Sequence, residues 1–131
     1  MPLHLRIVTI EKVVVDEPVD LLSVTTSEGA TGILSGHIPL LAVIEPGLLR
    51  YKTKSREFRM VSSSGSVEVK DNRATVLVSE AVPVESIDLA KAEAERNRLL
   101  GDIKGGQLTA IELSEAREQL ATVAAKLRVR K

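Results

Sequence analysis

Few residues in this chain have the types and spacing that catalysis needs. Its 131 residues include two histidines and no cysteine, which excludes a thiolate nucleophile and a cysteine zinc site. His37 stands in the turn Ser35-Gly36-His37, but neighbours in one turn cannot supply the base and orienting acid that a serine nucleophile needs. The other histidine, His4, does not lie at metal-ligand spacing from it. We therefore predict no catalytic residue and no metal site.

A group of acidic residues near the N-terminus raises the alternatives of a calcium site or paired-carboxylate catalysis. The group lacks the ligand spacing and the glycine of a calcium-binding loop. Charged side chains that keep the edge of a sheet from pairing explain it more simply. The members of the group are Glu11, Asp16, Glu17 and Asp20.

The charge and aromatic content narrow the choice of partner. The 18 Lys and Arg residues balance the 18 Asp and Glu residues, so no net field draws the whole chain to nucleic acid. Tyr51 and Phe58 are the only aromatic residues, which leaves no stacking platform for single strands. We expect no nucleic-acid partner, no signal peptide and no membrane-spanning run.

The first two thirds of the chain have the patterning of short strands. Leu3, Leu5 and Ile7 alternate with more polar neighbours, which is the period of a strand that faces a core. The pair Asp71-Asn72 separates two alternating runs and predicts a tight hairpin turn. Residues 1–85 are therefore predicted to form an antiparallel β-sandwich or flattened barrel.

Residues 86–131 change to a helical composition. Ser86 or Asp88 can cap a first helix that is predicted to run from about Asp88 to Ile103, and the Gly105-Gly106 pair breaks the pattern. Thr109 and Glu112 have the spacing of a capping box, so a second helix is predicted from there to about Val129. The two helices form an antiparallel α-helical hairpin.

The helix faces predict how firmly this hairpin is held. The second helix has an apolar stripe, whereas alanines dominate the first, and an alanine contributes far less than the roughly 1.5–3 kcal/mol of a buried leucine. We therefore expect a weakly docked, conformationally mobile hairpin. The predicted contact face of the first helix is Ala90, Ala92 and Ala94, with Leu99, Leu100 and Ile103 at its far end. The stripe of the second helix is Leu113, Ala116, Leu120, Val123, Ala124 and Leu127.

Four motifs, in order along the chain, resemble the epsilon subunit of F-type ATP synthases, and the first is the turn at residues 27–32, S-E-G-A-T-G. Residues 32–41, G-I-L-S-G-H-I-P-L-L, are similar to the family's G-I-L-P-G-H-x-P-L-L, with Ser35 at the usual proline. Residues 45–50, E-P-G-L-L-R, resemble the start of its next strand. Residues 65–69, G-S-V-E-V, together with Asn72 and residues 75–77, T-V-L, resemble its later hairpin.

The resemblance implies a fold of about ten strands in a β-sandwich followed by the α-helical hairpin. It also implies a non-catalytic central-stalk (rotor) subunit, bound to the gamma subunit and to the c-ring, that couples proton translocation to ATP synthesis. The hairpin would extend to the beta and alpha subunits and inhibit ATP hydrolysis. Such a subunit is peripheral to the cytoplasmic face of the cell membrane. The alternative is a free-standing nucleotide-binding β-sandwich module.

The resemblance assigns the turn Ser35, Gly36 and His37 to the c-ring contact. We expect two apolar pairs on either side, Ile33-Leu34 and Leu40-Leu41, to anchor this turn in the sandwich. The alternative for His37 is an exposed turn residue without a special role.

Residues 87–92, I-D-L-A-K-A, resemble the family's ATP-binding motif I/L-D-x-x-R-A, with Lys91 in place of arginine. No cofactor is required, but the resemblance implies a site for regulatory ATP. The implied residues are Ile87, Asp88, Lys91, Ala92, Arg117 and Lys126. The alternative is that Asp88 only caps a helix and Lys91 lies on a solvated face, because lysine lacks the bidentate fork of arginine.

The chain ends in a basic run. The resemblance implies contact with an acidic segment of a beta subunit in the extended state, and the alternative is a charge complement to the C-terminal end of the helix. The residues concerned are Lys126, Arg128, Arg130 and Lys131.

Overall fold

The computed structural model describes residues 2–130, which form ten strands and then two helices. The strands are β1 Leu3–Val8, β2 Val13–Val19, β3 Leu21–Thr26, β4 Gly29–Leu34, β5 Leu40–Ile44, β6 Gly47–Lys52, β7 Glu57–Ser62, β8 Gly65–Lys70, β9 Arg73–Val78 and β10 Ala81–Pro83. A 3-10 turn, Val84–Ser86, leads to α1 Leu89–Gly105 and α2 Ala110–Arg130. The boundary predicted after residue 85 falls inside this 3-10 turn.

The strands form two five-stranded sheets packed face to face. The first sheet has the order β2-β1-β9-β8-β5 and the second β10-β7-β6-β3-β4. Strands β1 and β9 are parallel, and the other neighbours are antiparallel. The predicted β-sandwich with a C-terminal helical hairpin is thereby confirmed.

The core lies between the two sheets and contains the side chains that the alternation of β1 predicts. Leu3, Leu5 and Ile7 are fully buried against residues of both sheets. The predicted turn between β8 and β9 is confirmed as well. Asp71 and Asn72 have φ of 51° and 60°, the left-handed conformation that a two-residue hairpin turn of this type requires.

The edge strand β2 carries two of the N-terminal acidic residues, Asp16 and Glu17. Asp16 Oδ1 lies 2.5 Å from Nε2 of His4 on β1, and this hydrogen bond lowers the pKa of the Asp16 carboxyl. No group of three or more potential metal-binding side chains occurs among residues 2–130. Asp16 therefore links the edge strand to its neighbour.

Both helices begin at cap residues that the sequence offers, and of the two candidates for α1 the cap is Asp88 and not Ser86. Asp88 accepts a hydrogen bond from the Lys91 amide at 3.2 Å. At α2, the Thr109 amide donates to Glu112 Oε1 at 3.0 Å, and the Glu112 amide donates to Thr109 Oγ1 at 3.2 Å. Helix α1 runs two residues past the predicted end, because the left-handed glycine that stops it is Gly106, with φ of 69°. Neither α1 nor α2 has the length and hydropathy of a membrane-spanning segment.

The predicted contact face of α1 is partly wrong. Ala92 and Leu99 are buried against α2, but Ala90, Ala94 and Leu100 are exposed. Helical residues turn by about 100° each, so residues two apart point to nearly opposite sides. Ala90 and Ala94 therefore cannot share a face with Ala92. The observed contact face is Leu89, Ala92, Leu99 and Ile103.

Helix α2 has two buried faces, of which the sequence stripe predicts one. Ala116, Val123 and Leu127 pack against α1, as expected. Ala125 is fully buried on the other side, where it packs with Val61 of β7 and with Ile87. This second cluster docks the hairpin on the sandwich.

Candidate functional site

The turn Ser35-Gly36-His37 is tied to the turn between β8 and β9. Asn72 Oδ1 accepts hydrogen bonds from the Gly36 amide at 2.9 Å and from Ser35 Oγ at 3.3 Å. The Asn72 side-chain amide in turn donates to the Pro2 carbonyl at 2.8 Å. Ser35, which departs from the family's proline, thus adds a hydrogen bond to the turn. Gly36 has φ of 81°, a conformation that suits glycine.

The apolar residues around this turn do not all anchor it, and that prediction is partly wrong. Ile33 is fully buried and Leu40 is half-buried, but Leu34 and Leu41 are 58% and 75% exposed. Successive side chains of a strand point to opposite faces. Each apolar pair therefore places one residue in the core and one outside. His37 is half-buried, with Nδ1 2.7 Å from the Ile38 carbonyl oxygen.

The outside of the first sheet carries a row of side chains that crosses all five strands and is apolar on every strand except β8. The register aligns one residue from each strand, in the order Val43 on β5, Ser66 on β8, Leu77 on β9, Val8 on β1 and Val13 on β2. Val43, Leu77 and Val13 are 65%, 51% and 43% exposed. We call Val8, Val13, Leu41, Val43 and Leu77 the outer apolar face. Contiguous apolar surface of this kind marks an interaction site.

The junction between sandwich and hairpin holds most of the residues predicted to bind ATP. Ile87, Asp88, Lys91, Ala92 and Lys126 line one cavity of about 260 Å³. We call this cavity the junction pocket. Arg117, the sixth predicted residue, is exposed and does not line it. It precedes Lys126 on α2 by about 13 Å of helix rise.

The charges of the junction pocket are largely paired within the chain. The Lys126 ammonium forms an ion pair with Glu80, and its side chain is only 16% exposed. Asp88 is engaged as the cap of α1, and Glu95 adds a carboxylate to the lining. Lys91 is exposed. A phosphate group in this pocket would compete with Glu80 for Lys126.

Two polar contacts fasten α2 to loops of the sandwich. Ser64 Oγ donates a hydrogen bond to the Glu118 carboxylate, and Glu80 pairs with Lys126. We call these two contacts the latch. Local sequence patterns contain no signal for Glu80 or Glu118, because their partners are far away along the chain and meet them only in the folded protein.

The basic residues at the end of α2 face solvent. Arg128 and Arg130 are exposed in its last turn, and neither forms an ion pair within the part of the chain that the structure describes. Lys131, the last of the predicted beta-subunit contacts, lies outside the described residues. The docked hairpin leaves Arg128 and Arg130 accessible, whereas Lys126 is occupied.

Comparison with known sequences extends over the whole chain. The family described as ATP synthase, Delta/Epsilon chain, beta-sandwich domain matches residues 2–84. The ATP synthase epsilon chain of Herpetosiphon aurantiacus is 37% identical over 131 residues, which span 100% of this chain and 96% of the relative. That of Roseiflexus sp. is 42% identical over 94 residues, or 72% of this chain and 68% of the relative.

Solved structures have the same architecture. A chain in the cryo-EM structure of the Euglena gracilis mitochondrial ATP synthase OSCP/F1/c-ring matches with a TM-score of 0.81 at 21% identity, covering 99% of this chain and 82% of that one. A chain of the Tetrahymena thermophila central stalk and c-ring matches with a TM-score of 0.68 at 18% identity, covering 100% and 98%. At these identities the likeness concerns the fold. The sequence matches, however, identify the family: this chain belongs to the epsilon subunits of the F-type ATP synthases.

Proposed function

We propose that this chain is a non-catalytic central-stalk subunit that couples proton translocation to ATP synthesis and binds the gamma subunit through the outer apolar face. The observation that supports this proposal is the row from Val43 to Val13. In this row the apolar side chains of Val43, Leu77 and Val13 are exposed to water, whereas Val8 is half-buried and Ser66 is polar. Burying such side chains against a partner is favourable by about 25 cal/mol per Å² of apolar area. A partner with a matching apolar surface therefore fits this face.

The c-ring contact is assigned to the turn Ser35-Gly36-His37. A coupling contact must transmit torque, so its backbone has to be held in place. Asn72 supports this assignment because it bonds the turn to the β8–β9 turn and to Pro2. Through this contact the protein would lie peripherally at the cytoplasmic face of the cell membrane.

The hairpin is assigned the inhibitory role, in which it leaves the sandwich and reaches the beta and alpha subunits. Its docking depends on the small cluster around Ala125 and on the latch, so few contacts have to break. Arg128, Arg130 and Lys131 would meet an acidic segment of a beta subunit. Lys126 joins them only after it has separated from Glu80.

Regulatory ATP is assigned to the junction pocket, where it would favour the docked hairpin. Lys91 and Lys126 are the available cations there, and Lys126 has to exchange Glu80 for a phosphate group. Replacing Lys91 by arginine should tighten ATP binding, since arginine bonds phosphate with two parallel hydrogen bonds. If Lys91→Arg binds ATP with the same affinity as wild type, Lys91 does not contact the phosphate groups.

The rotor role is tested by co-purifying the full chain with the gamma subunit and the alpha-beta catalytic assembly. A stable complex that contains this chain in a fixed ratio to gamma is expected. A free-standing nucleotide-binding module would instead bind ATP without any affinity for gamma. A cysteine introduced by His37→Cys is expected to form a cross-link to a c subunit in the assembled enzyme. If it forms cross-links only to gamma, this turn belongs to the gamma-binding surface instead.

The inhibitory role is tested separately with two variants of opposite effect. Deleting the residues after Ile87 removes the hairpin and should raise ATP hydrolysis by the assembled enzyme at low ATP. Ala125→Glu buries a charge in the docking cluster, which should release the hairpin and lower hydrolysis. If both variants hydrolyse ATP at the wild-type rate, the hairpin is not inhibitory.

A further inference from the structure

A second cavity opens at the edge of the sandwich, beside β2 and β7 and next to the end of α2. Its volume is about 580 Å³, which falls within the range of small-molecule binding pockets, and it is open to solvent on one side. The two aromatic rings of the chain, Tyr51 and Phe58, stack in its wall with centroids 4.7 Å apart. The half-buried Val14 and Val84 add apolar surface. No residue of the junction pocket lines this cavity.

Three arginines line the same cavity without a carboxylate partner among residues 2–130. The Arg56 guanidinium carbon lies 4.4 Å from the centroid of the Phe58 ring, a cation–π contact. Arg59 and Arg130 are exposed at the rim. Guanidinium groups of this kind match the geometry of phosphate oxygens.

The acidic residues of the cavity do not cancel this charge. Glu57 is engaged by Arg50, whose Nη1 lies 3.0 Å from Oε1. Glu85 is the other carboxylate in the lining. Three guanidinium groups against one carboxylate without a partner leave a surplus of two positive charges, which matches a dianion.

We propose that this cavity binds a dianionic organic phosphate. The phosphate group accepts hydrogen bonds from the arginines, and the apolar body of the ligand packs on Val14 and Val84. Because Arg130 belongs to α2 and the other lining residues precede α1, the complete site exists only when the hairpin is docked. Bound ligand therefore stabilises the docked hairpin by mass action. This last consequence rests on the proposed mobility of the hairpin, whereas the binding itself does not.

The test titrates the full chain with phenyl phosphate and, separately, with inorganic phosphate, while amide NMR signals are recorded. Phenyl phosphate should perturb the amides of Val14, Phe58 and Val84 and bind more tightly than inorganic phosphate, which has no apolar body. Arg59→Gln and Arg130→Gln should each weaken phenyl phosphate binding by about tenfold, the usual effect of one lost charge-assisted hydrogen bond. Arg98→Gln, on the exposed side of α1, is the matched control and should bind as wild type does.

Hydrogen exchange then separates binding from regulation. Saturating phenyl phosphate should slow exchange of the α2 amides in wild type and have a smaller effect in Arg130→Gln. The binding proposal is overturned if phenyl phosphate does not bind, binds no better than inorganic phosphate, or binds Arg59→Gln as tightly as Arg98→Gln. Binding without slower α2 exchange would contradict the coupling to the hairpin alone.

Discussion

Gly65, the first residue of β8, occupies a position where a side chain does not fit. A Cβ there would lie 2.0 Å from the Leu77 carbonyl oxygen and 2.7 Å from a methyl group of Val78. Gly65→Ala should therefore lower the free energy of unfolding by about 1–3 kcal/mol, because the β8–β9 pairing has to shift.

Gly101 is the matched control, since a Cβ at that position on α1 meets nothing within 4 Å. Gly101→Ala should raise the free energy of unfolding by about 0.5–1 kcal/mol through its helix propensity. Chemical denaturation measures both variants. Equal and small effects would contradict the close packing assigned to Gly65.

Glu112 provides a pH dependence of known sign. The hydrogen bond from the Thr109 amide holds the pKa of its carboxyl below the ordinary 4.5. Because the folded state has the lower pKa, its contribution to stability is complete above pH 4.5 and is lost as the pH falls through the lowered value. The protection factors of the first α2 amides, which correct for the intrinsic pH dependence of exchange, should then fall.

Glu112→Gln keeps the acceptor of the capping box but does not titrate. In this variant the first turn of α2 should show a smaller change in protection across the same acidic range. Equal acid sensitivity in both proteins would mean that other groups control the end of this helix.

Sequence patterns predict the helix caps, whose partners are near in the chain, but not contacts between residues that are far apart in the chain. The caps at Asp88 and Thr109 involve residues three apart, so their pattern is visible along the chain. The partner of Lys126 is not visible, since Glu80 reaches it only through the docking of α2 on the sandwich. Arg117 is assigned to the ATP site only through the family resemblance, and it does not line the junction pocket.

At the scale of elements, the latch should control whether the hairpin stays docked. Glu80→Gln removes the ion pair to Lys126, a side chain only 16% exposed, and should weaken docking by about 1 kcal/mol. Hydrogen exchange of the α2 amides around Ala125 measures this change, which should diminish in high salt.

Asp102→Asn is the control for the latch, because it breaks an exposed pair with Arg98 inside α1. It should change α2 protection by less than about 0.5 kcal/mol. If Glu80→Gln leaves α2 as protected as Asp102→Asn does, the apolar cluster alone holds the hairpin.

The existence and order of the elements follow from the sequence, but the faces of the helices do not. Alternation predicts β1, and the Asp71-Asn72 turn predicts the β8–β9 hairpin. Composition alone misassigned Ala90 and Ala94 to the contact face of α1, since helix formers occur on every side of that helix. The second face of α2, around Ala125, depends on a tertiary contact that no periodicity in α2 encodes.

At the scale of the whole molecule, the sandwich and the hairpin divide the proposed work. The outer apolar face belongs to the first sheet, whereas α2 docks against β6 and β7 of the second sheet. The proposed binding of gamma and the proposed movement of the hairpin would therefore use different faces of one sandwich. The rotor contact can persist while the hairpin changes state.

The central claim is that the outer apolar face binds gamma, and the affinity of the full chain for the gamma subunit tests it most directly. Val43→Asp places a charge at the β5 end of the face, where Val43 is 65% exposed, and Ile111→Asp places one at a position 73% exposed on the hairpin. Isothermal titration should show binding by wild type and Ile111→Asp, with Val43→Asp weaker by at least about tenfold. Equal affinity of all three proteins for gamma, or no binding by wild type, would contradict the account.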